Sequence, residues 1–242
     1  MRMLENKISV IYFQHQGKKV RQEDSCFISK DKKLFAVFDG VGGSENGFIA
    51  SQTAKKLLNE WYEKLDAEVN TIHIKDAIDY ISNGLSKHNH QYVATTMALV
   101  FVENSKALIS KIGDSRIFYM SPSKSKWWVS KDDSIVQELF DAGILSSEEE
   151  MKNHPFKNRI TKALSSKNVI DINDIKVQQI IDINKGDIFA LFTDGVLEKF
   201  TNKQSIEILG NVKLNFQEKV EYFNLVSSDS KDNSTAVFVL IM

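Results

Sequence analysis

The sequence predicts an α+β domain, and three observations predict it. Short β-branched and aromatic runs come in pairs joined by polar turns, as in residues 95–102 and 107–112 around Glu103-Asn104-Ser105-Lys106, the hairpin pattern of antiparallel sheet. Two amphipathic stripes follow one another between residues 54 and 92, a spacing suited to an antiparallel helix pair lying on a sheet. The apolar run Leu34-Phe35-Ala36-Val37-Phe38 reads as a strand buried on both faces, and it meets Asp39-Gly40-Val41-Gly42-Gly43 where that strand must end. Glycines there let the backbone turn sharply and bring a bare carbonyl or amide close to a ligand, for which metal or phosphate is the natural guest.

Taken in order, residues 8–13 are β-branched and aromatic and predict a first strand, with Gly17 marking a turn. Lys18-Lys19-Val20-Arg21-Gln22-Glu23-Asp24 is a charged loop before a short strand at residues 26–28. Ala54, Leu57, Leu58, Trp61, Tyr62 and Leu65 form one helical stripe, and Ile74, Ile78, Ile81, Leu85, His88 and Tyr92 a second, with Thr71 as its cap. His88 on that stripe reads as a packed helix residue. The returning hairpin strand ends at Gly113-Asp114-Ser115, and residues 116–120 pair with 127–129, where one of Trp127 and Trp128 faces inward.

From Asp132 to Leu164 the text breaks into short helical pieces: residues 135–140 ending at Gly143, a capping box of Ser146 with Glu149, an interruption at His154-Pro155, and a resumption at residues 160–164. Such irregular insertions carry lids and substrate-facing segments. A strand at 175–181, a turn at Asn184-Lys185-Gly186-Asp187 and the run 188–192 lead to Thr193-Asp194-Gly195, repeating the pattern of buried run, acid and glycine. Helices at 205–209 and 216–226 precede Lys231-Asp232-Asn233-Ser234 and a last strand at 235–241.

The whole chain bounds these readings. With 242 residues, 42% hydrophobic and 26% charged, it can bury one sizeable core, and two prolines leave no room for a proline-rich linker, so residues 1–242 are expected to form one domain. Lys and Arg total 31 against 32 Asp and Glu, a net charge of −1, which gives no broad basic face for nucleic acid or membrane and points to protein or small-molecule partners. Cys26 is the only cysteine, so neither a disulfide nor a thiolate metal site can form within one chain, and a reducing cytoplasm is expected. The first residues show no signal-peptide or anchor pattern, and no run approaches the ~18 apolar residues of a membrane span.

Four acids, Asp39, Asp114, Asp194 and Asp232, therefore stand at the ends of buried strands, each beside a glycine, serine or asparagine. If they converge, each close pair costs on the order of 4 kcal/mol at an effective dielectric of ~20, and something cationic must offset that. Without thiolates or zinc-type histidine spacing, Mg²⁺ or Mn²⁺ suits all-oxygen ligation best. Two such ions roughly 3.5 to 4 Å apart, sharing a carboxylate and an activated water, are the usual device for hydrolysing phosphate esters.

With these residues in view the chain resembles the metal-dependent protein Ser/Thr phosphatases of type 2C, the PPM family, over nearly its whole length. The resemblance rests on Glu23-Asp24-Ser25, Val37-Phe38-Asp39-Gly40-Val41-Gly42-Gly43, Ala94-Thr95-Thr96, Ile112-Gly113-Asp114-Ser115-Arg116, Leu191-Phe192-Thr193-Asp194-Gly195-Val196 and Asp232-Asn233-Ser234-Thr235, in that order. Residues 131–164, with Asp133-Ser134, Gly143, His154-Pro155 and Asn158, resemble the flap of the bacterial branch.

The resemblance implies a four-layer αββα sandwich of two antiparallel sheets flanked by helix pairs, with metals at one end. It implies that Asp39 bridges two Mn²⁺ or Mg²⁺ ions, that Asp194 and Asp232 complete one, and that the Gly40 carbonyl and Glu23 serve the other. Asp114 with Asp194 would form a third, looser site, Asp24 would orient waters, and Asn233 would support the ligands. The implied activity is hydrolysis of phosphoserine and phosphothreonine on proteins, by a cytoplasmic, bacterial-type monomer opposing a Ser/Thr kinase.

Departures accompany the match. The family's phosphate-clamping arginine is Lys19 here, with Arg21 two residues further on and, if the segment is a strand, on the same face. Ala94 and Ser165 replace common glycines, and Val41 stands where animal relatives place a histidine. Lys19 is the best support for a rival reading, a weak or inactive phosphatase-fold regulator that binds phosphoproteins; intact Asp39, Asp194 and Asp232 oppose it. A phosphotransferase with a nucleophilic aspartate would need an acid at position 41, which is valine.

Overall fold

A computed structural model describes residues 7–42, 45–88 and 91–242, so the first six residues and Gly43 of the glycine cluster lie outside the described residues. The chain opens with β1 (Ile8–His15), β2 (Ser25–Ile28), β3 (Leu34–Phe38) and β4 (Gly40–Val41), then runs through α1 (Glu45–Glu63) and α2 (Thr71–Leu85). Next come β5 (Ala94–Thr95), β6 (Met97–Glu103), β7 (Lys106–Ile112), β8 (Arg116–Ser121) and β9 (Lys126–Val129). The insertion holds α3 (Ile135–Asp141) and α4 (Glu148–Asn153) and leads to β10 (Leu164–Ser165), β11 (Gln178–Ile181) and β12 (Ile188–Phe192). Helices α5 (Asp194–Leu197), α6 (Asn202–Gly210) and α7 (Phe216–Ser227) precede the closing strand β13 (Ser234–Ile241).

Two five-stranded antiparallel sheets result, in the orders β1-β13-β12-β8-β9 and β11-β7-β6-β3-β2, with a small third sheet, β10-β5-β4. The period-2 alternation of a strand explains the layers. Phe35 and Val37 of β3 pack between the sheets with Val100, Phe189, Leu191 and Val237. Leu34, Ala36 and Phe38 point the other way, onto Ala54, Leu58, Ile74, Ile78 and Ile81 of α1 and α2. On the far side, Phe118, Phe192 and Phe238 meet Val196, Leu209, Val220 and Phe223 from α5, α6 and α7. The architecture is the expected αββα sandwich. No helix among the described residues is long and apolar enough to cross a membrane.

Several local expectations are corrected. The first helix starts at Glu45, well before the stripe at Ala54. The second is capped by Asn70 rather than Thr71 and ends at Leu85, so His88 and Tyr92 lie off it; Leu85 is fully buried while Tyr92 is exposed, and the burial that drives the helix stops there. The cap of α4 is Ser147, which accepts from the Glu150 N–H, one residue beyond the expected Ser146. Residues 160–164 do not resume a helix: Ile160 bridges Ser134, and Leu164 pairs with Thr95. The strand expected from 175 starts at Gln178, because residues 172–174 form a tight 3₁₀ turn. The run 95–102 is split at Thr96, whose N–H bonds the Asp39 carbonyl at 2.8 Å instead of a ladder partner. That break hands β5 to the small sheet and fixes the backbone at Asp39. Of the two tryptophans, Trp127 is exposed and Trp128 packs inward, as alternation requires.

Candidate metal centre at one end of the sandwich

Asp39 leaves β3 with its backbone fully engaged. Its carbonyl accepts from the Thr95 hydroxyl at 2.8 Å as well as from Thr96, and its N–H donates to Thr96 Oγ1 at 3.2 Å. The next residue must be glycine for reasons of space: a Cβ at Gly40 would lie 2.3 Å from the Gly47 carbonyl oxygen and 2.8 Å from that of Glu23, backbone atoms that cannot yield. A Cβ at Gly47 would in turn meet Glu23 Oε2 at 2.5 Å, so the start of α1, the Gly40 backbone and the Glu23 carboxylate crowd one spot.

Asp194 arrives from the other sheet. After β12, the Thr193 N–H donates to the Thr235 carbonyl at 3.0 Å, its hydroxyl donates to Asp24 Oδ2 at 2.8 Å, and Asp194 opens α5. Gly195 presses on the neighbouring chain so closely that a Cβ would sit 1.9 Å from the Asn233 carbonyl oxygen. Asn233 then organises the charged loop: its Nδ2 donates to the carbonyls of Gln16 and Arg21 at 2.7 and 2.9 Å, and its Oδ1 accepts from the Glu23 N–H at 2.8 Å.

Asp39 and Asp194 lie close together, with Asp24, Asp114 and Asp232 within electrostatic reach of both or one of them. The Asp39 and Asp194 carboxyls interact directly, and both lie well above the ordinary carboxylate range, first through burial and then through neighbouring charges, those of Asp24 and Asp114 on Asp39 and those of Asp39 and Asp114 on Asp194. Asp24 is pushed up to about 8, by burial and then by the charge of Asp194, against the pull of the Thr193 and Thr235 hydroxyls. Asp114 is raised to about 6 by burial and by Asp132, with Lys111 and Arg116 opposing. It follows Gly113, held at φ +96°, whose N–H donates to Asp133 Oδ2 at 3.0 Å. Asp133 also takes Lys111 Nζ at 3.1 Å, and Asp132 takes Arg116 in a two-pronged contact at 2.7 and 2.5 Å, so the root of the insertion is tied to the Asp114 turn.

Lys19 and Arg21 part company. Lys19 Nζ contacts Asp232 Oδ2 at 2.9 Å, and although burial lowers its pKa, the bond to Asp232 and the charges of Asp232, Asp194 and Glu23 raise it on balance. The Arg21 guanidinium stacks over the Phe48 ring at 5.1 Å. The expectation that both share one strand face fails because the segment is a loop, curled by the two Asn233 bonds.

Whether this set suits a divalent cation can be judged from its chemistry. The atoms that Asp39, Asp194, Asp232, Glu23 and the crowded Gly40 backbone could offer are all oxygen, which is what Mg²⁺ and Mn²⁺ take. Among the described residues no three acidic, histidine or cysteine side chains close on a single point. Instead the repulsion is relieved by the raised pKa values of Asp39 and Asp194, which favour their neutral forms, and by Lys19 on Asp232. The residues fit the cation chemically.

Reading the sequence missed the supports: Thr95 and Thr96 on the Asp39 backbone, Thr193 on Asp24, and the Thr96–Ser115 hydroxyl pair at 2.6 Å. Thr193 and Ser115 sit beside an acid in the sequence, whereas Thr95 and Thr96 adjoin neither an acid nor a glycine and were marked only as the Ala94-Thr95-Thr96 segment.

Comparison with known proteins agrees with the geometry. The sequence profile of the protein phosphatase 2C family matches residues 13–227. A serine/threonine phosphatase stp of Listeria innocua is 27% identical over 232 residues, covering 88% of this chain and 86% of that protein. The protein phosphatase PhpP of Streptococcus pneumoniae is 26% identical over 189 residues, covering 74% of this chain and 73% of that one. Among solved structures, serine/threonine phosphatase Stp1 of Staphylococcus aureus superposes with a TM-score of 0.85 at 19% identity, over 100% of this chain and 98% of that one. The catalytic domain of PstP, solved in complex with two manganese ions, gives 0.81 at 20% identity over 97% and 98%.

Proposed function

Because the chain belongs to the protein phosphatase 2C family and is a protein serine/threonine phosphatase, we propose that it hydrolyses phosphoserine and phosphothreonine on proteins with Mn²⁺ or Mg²⁺ ions that Asp39 would help to hold. Asp194 and Asp232 would serve one ion, and Glu23 and the Gly40 carbonyl the other. Asp114 with Asp194 would offer a third, looser site. When bound, the cations lower the pKa of water and neutralise phosphoryl charge. The rest is the work of this chain. Asp24, held by Thr193, orients water; Asn233 holds the loop that carries Glu23 and Lys19; Lys19 offers a cation for phosphate oxygens. The bond between phosphorus and the seryl or threonyl oxygen breaks as a water oxygen bonds to phosphorus; one water proton ends on the released hydroxyl and the other stays on the phosphate, with no phosphoenzyme. Cys26, the only cysteine, supplies no nucleophile: it is buried and its thiol is pushed up to about 11 by that burial.

The observation that carries this reading is the meeting of Asp39 and Asp194, which follow strands of different sheets and whose carboxyls lie within interaction distance of each other. A purely structural domain gains nothing from burying like charges. We further assign residues 1–242 to one phosphatase domain with a flap at 131–164, acting as a cytoplasmic monomer against a Ser/Thr kinase. The test is hydrolysis of a phosphothreonine peptide with Mn²⁺, Mg²⁺ or a chelator. Turnover with either metal and none with chelator is expected; no turnover at millimolar Mn²⁺ would remove the reading in favour of the inactive regulator.

A further inference from the structure

Asp194 opens α5, which is only four residues long, Asp194–Leu197. A single turn cannot satisfy its own terminal carbonyls, and its orientation depends on what binds them. Two outside groups do so. On one flank Ser230 Oγ donates to the Gly195 carbonyl at 2.7 Å. On the other, Lys152 Nζ donates to the carbonyls of Leu197 at 3.1 Å and Phe200 at 3.2 Å. Lys152 belongs to α4 in the flap, beside the buried Met151, and burial lowers its pKa while Glu148 opposes the shift. An ammonium at the carbonyl end of a turn is the favourable polarity for a helix dipole. Among the described hydrogen bonds, Lys152 makes the only ones between a flap side chain and residues 194–200.

We propose that Lys152 is a positioning residue: by capping the α5 turn from the flap, it sets the orientation of the Asp194 carboxylate and so couples flap docking to metal affinity. This rests on the metal-centre reading above. It differs from a role in contacting substrate, because Lys152 reaches backbone carbonyls behind Asp194. The flap is thereby part of the support of the centre as well as a cover beside it.

The experiment measures Mn²⁺ binding by calorimetry and turnover of a small aryl phosphate, on wild type and on Lys152→Met, Lys152→Gln and Lys152→Arg, with circular dichroism to verify folding. Loss of an outer support of a metal ligand should weaken Mn²⁺ binding by roughly tenfold in Lys152→Met. Lys152→Gln, which keeps a donor without the charge, should fall between, and Lys152→Arg should stay near wild type. In Lys152→Met, kcat at limiting Mn²⁺ should drop and be restored by excess Mn²⁺, with KM for the aryl phosphate unchanged; a circular dichroism spectrum at limiting Mn²⁺ identical to that of the wild type separates this from general destabilisation, which excess Mn²⁺ would also relieve. Unchanged Mn²⁺ affinity in folded Lys152→Met, or in folded Lys152→Gln should the methionine variant not fold, overturns the inference alone. Failure of the wild type to bind Mn²⁺ overturns the metal-centre reading itself, which separates the two.

Discussion

Lys19 and Asp232, near opposite ends of the chain, form an ion pair at 2.9 Å. An ammonium in that place competes with a cation for Asp232 and can also face an incoming phosphate. Lys19→Ala should therefore act in opposite directions, tightening Mn²⁺ binding while raising KM for a phosphopeptide. Lys19→Arg should lower KM a few-fold, about 1 kcal/mol, because a planar fork holds two phosphate oxygens. Arg21→Ala should change KM less, since that guanidinium rests on Phe48. Calorimetry and steady-state kinetics on the three variants check this; a larger KM effect from Arg21→Ala would assign the phosphate to Arg21.

Asp39→Asn should abolish turnover and leave the fold intact. It removes one of several like charges crowded at the strand ends, so the metal-free variant should melt above the metal-free wild type, and the gap should reverse when Mn²⁺ stabilises only the wild type. Thermal melts with chelator and with Mn²⁺ measure both halves. Wild-type turnover in the variant, or a trapped phosphoenzyme, would refute the chemistry.

The flap tip should govern the choice of phosphoprotein. Phe140 and Ile144 are large apolar side chains left exposed there, whereas Met151 is buried. Replacing Phe140 and Ile144 together by serine should change KM for phosphoproteins and leave a small aryl phosphate unaffected. Equal losses on both substrates would count against a recognition role.

Acid stability should depend on Asp31, far from the metal centre in the turn between β2 and β3. Burial alone would raise its pKa, but hydrogen bonds from Ser29 at 2.6 Å and Tyr62 at 2.8 Å, with the Lys33 N–H and charge, hold it below the ordinary value. A carboxylate depressed in the folded state stabilises above its unfolded pKa of about 3.9 and loses that contribution as pH falls through the folded value. Asp31→Asn should therefore melt below wild type at pH 7, with the gap closing below about pH 4. A gap independent of pH would show that the side chain acts by shape alone.

What the sequence by itself determined is local and periodic. The run Leu34–Phe38 carries a two-sided burial pattern, so β3 had to be covered on both faces, and Asp39 had to follow where that strand ends. The same logic applied to residues 188–192 and Asp194. The ordered acid and glycine segments were enough for the family, the sandwich and the metal type, because each is written in consecutive residues. Only the tertiary structure decided which side chains meet. Asp39 and Asp194 face each other because two sheets pack face to face, a distance that no strand encodes. Lys19 turns to Asp232 and Arg21 to Phe48 because Asn233 curls their loop from across the fold. Lys152 reads in sequence as one more charge on a short helix; its meaning comes from the carbonyls of Leu197 and Phe200, which the packing of the flap brings to it.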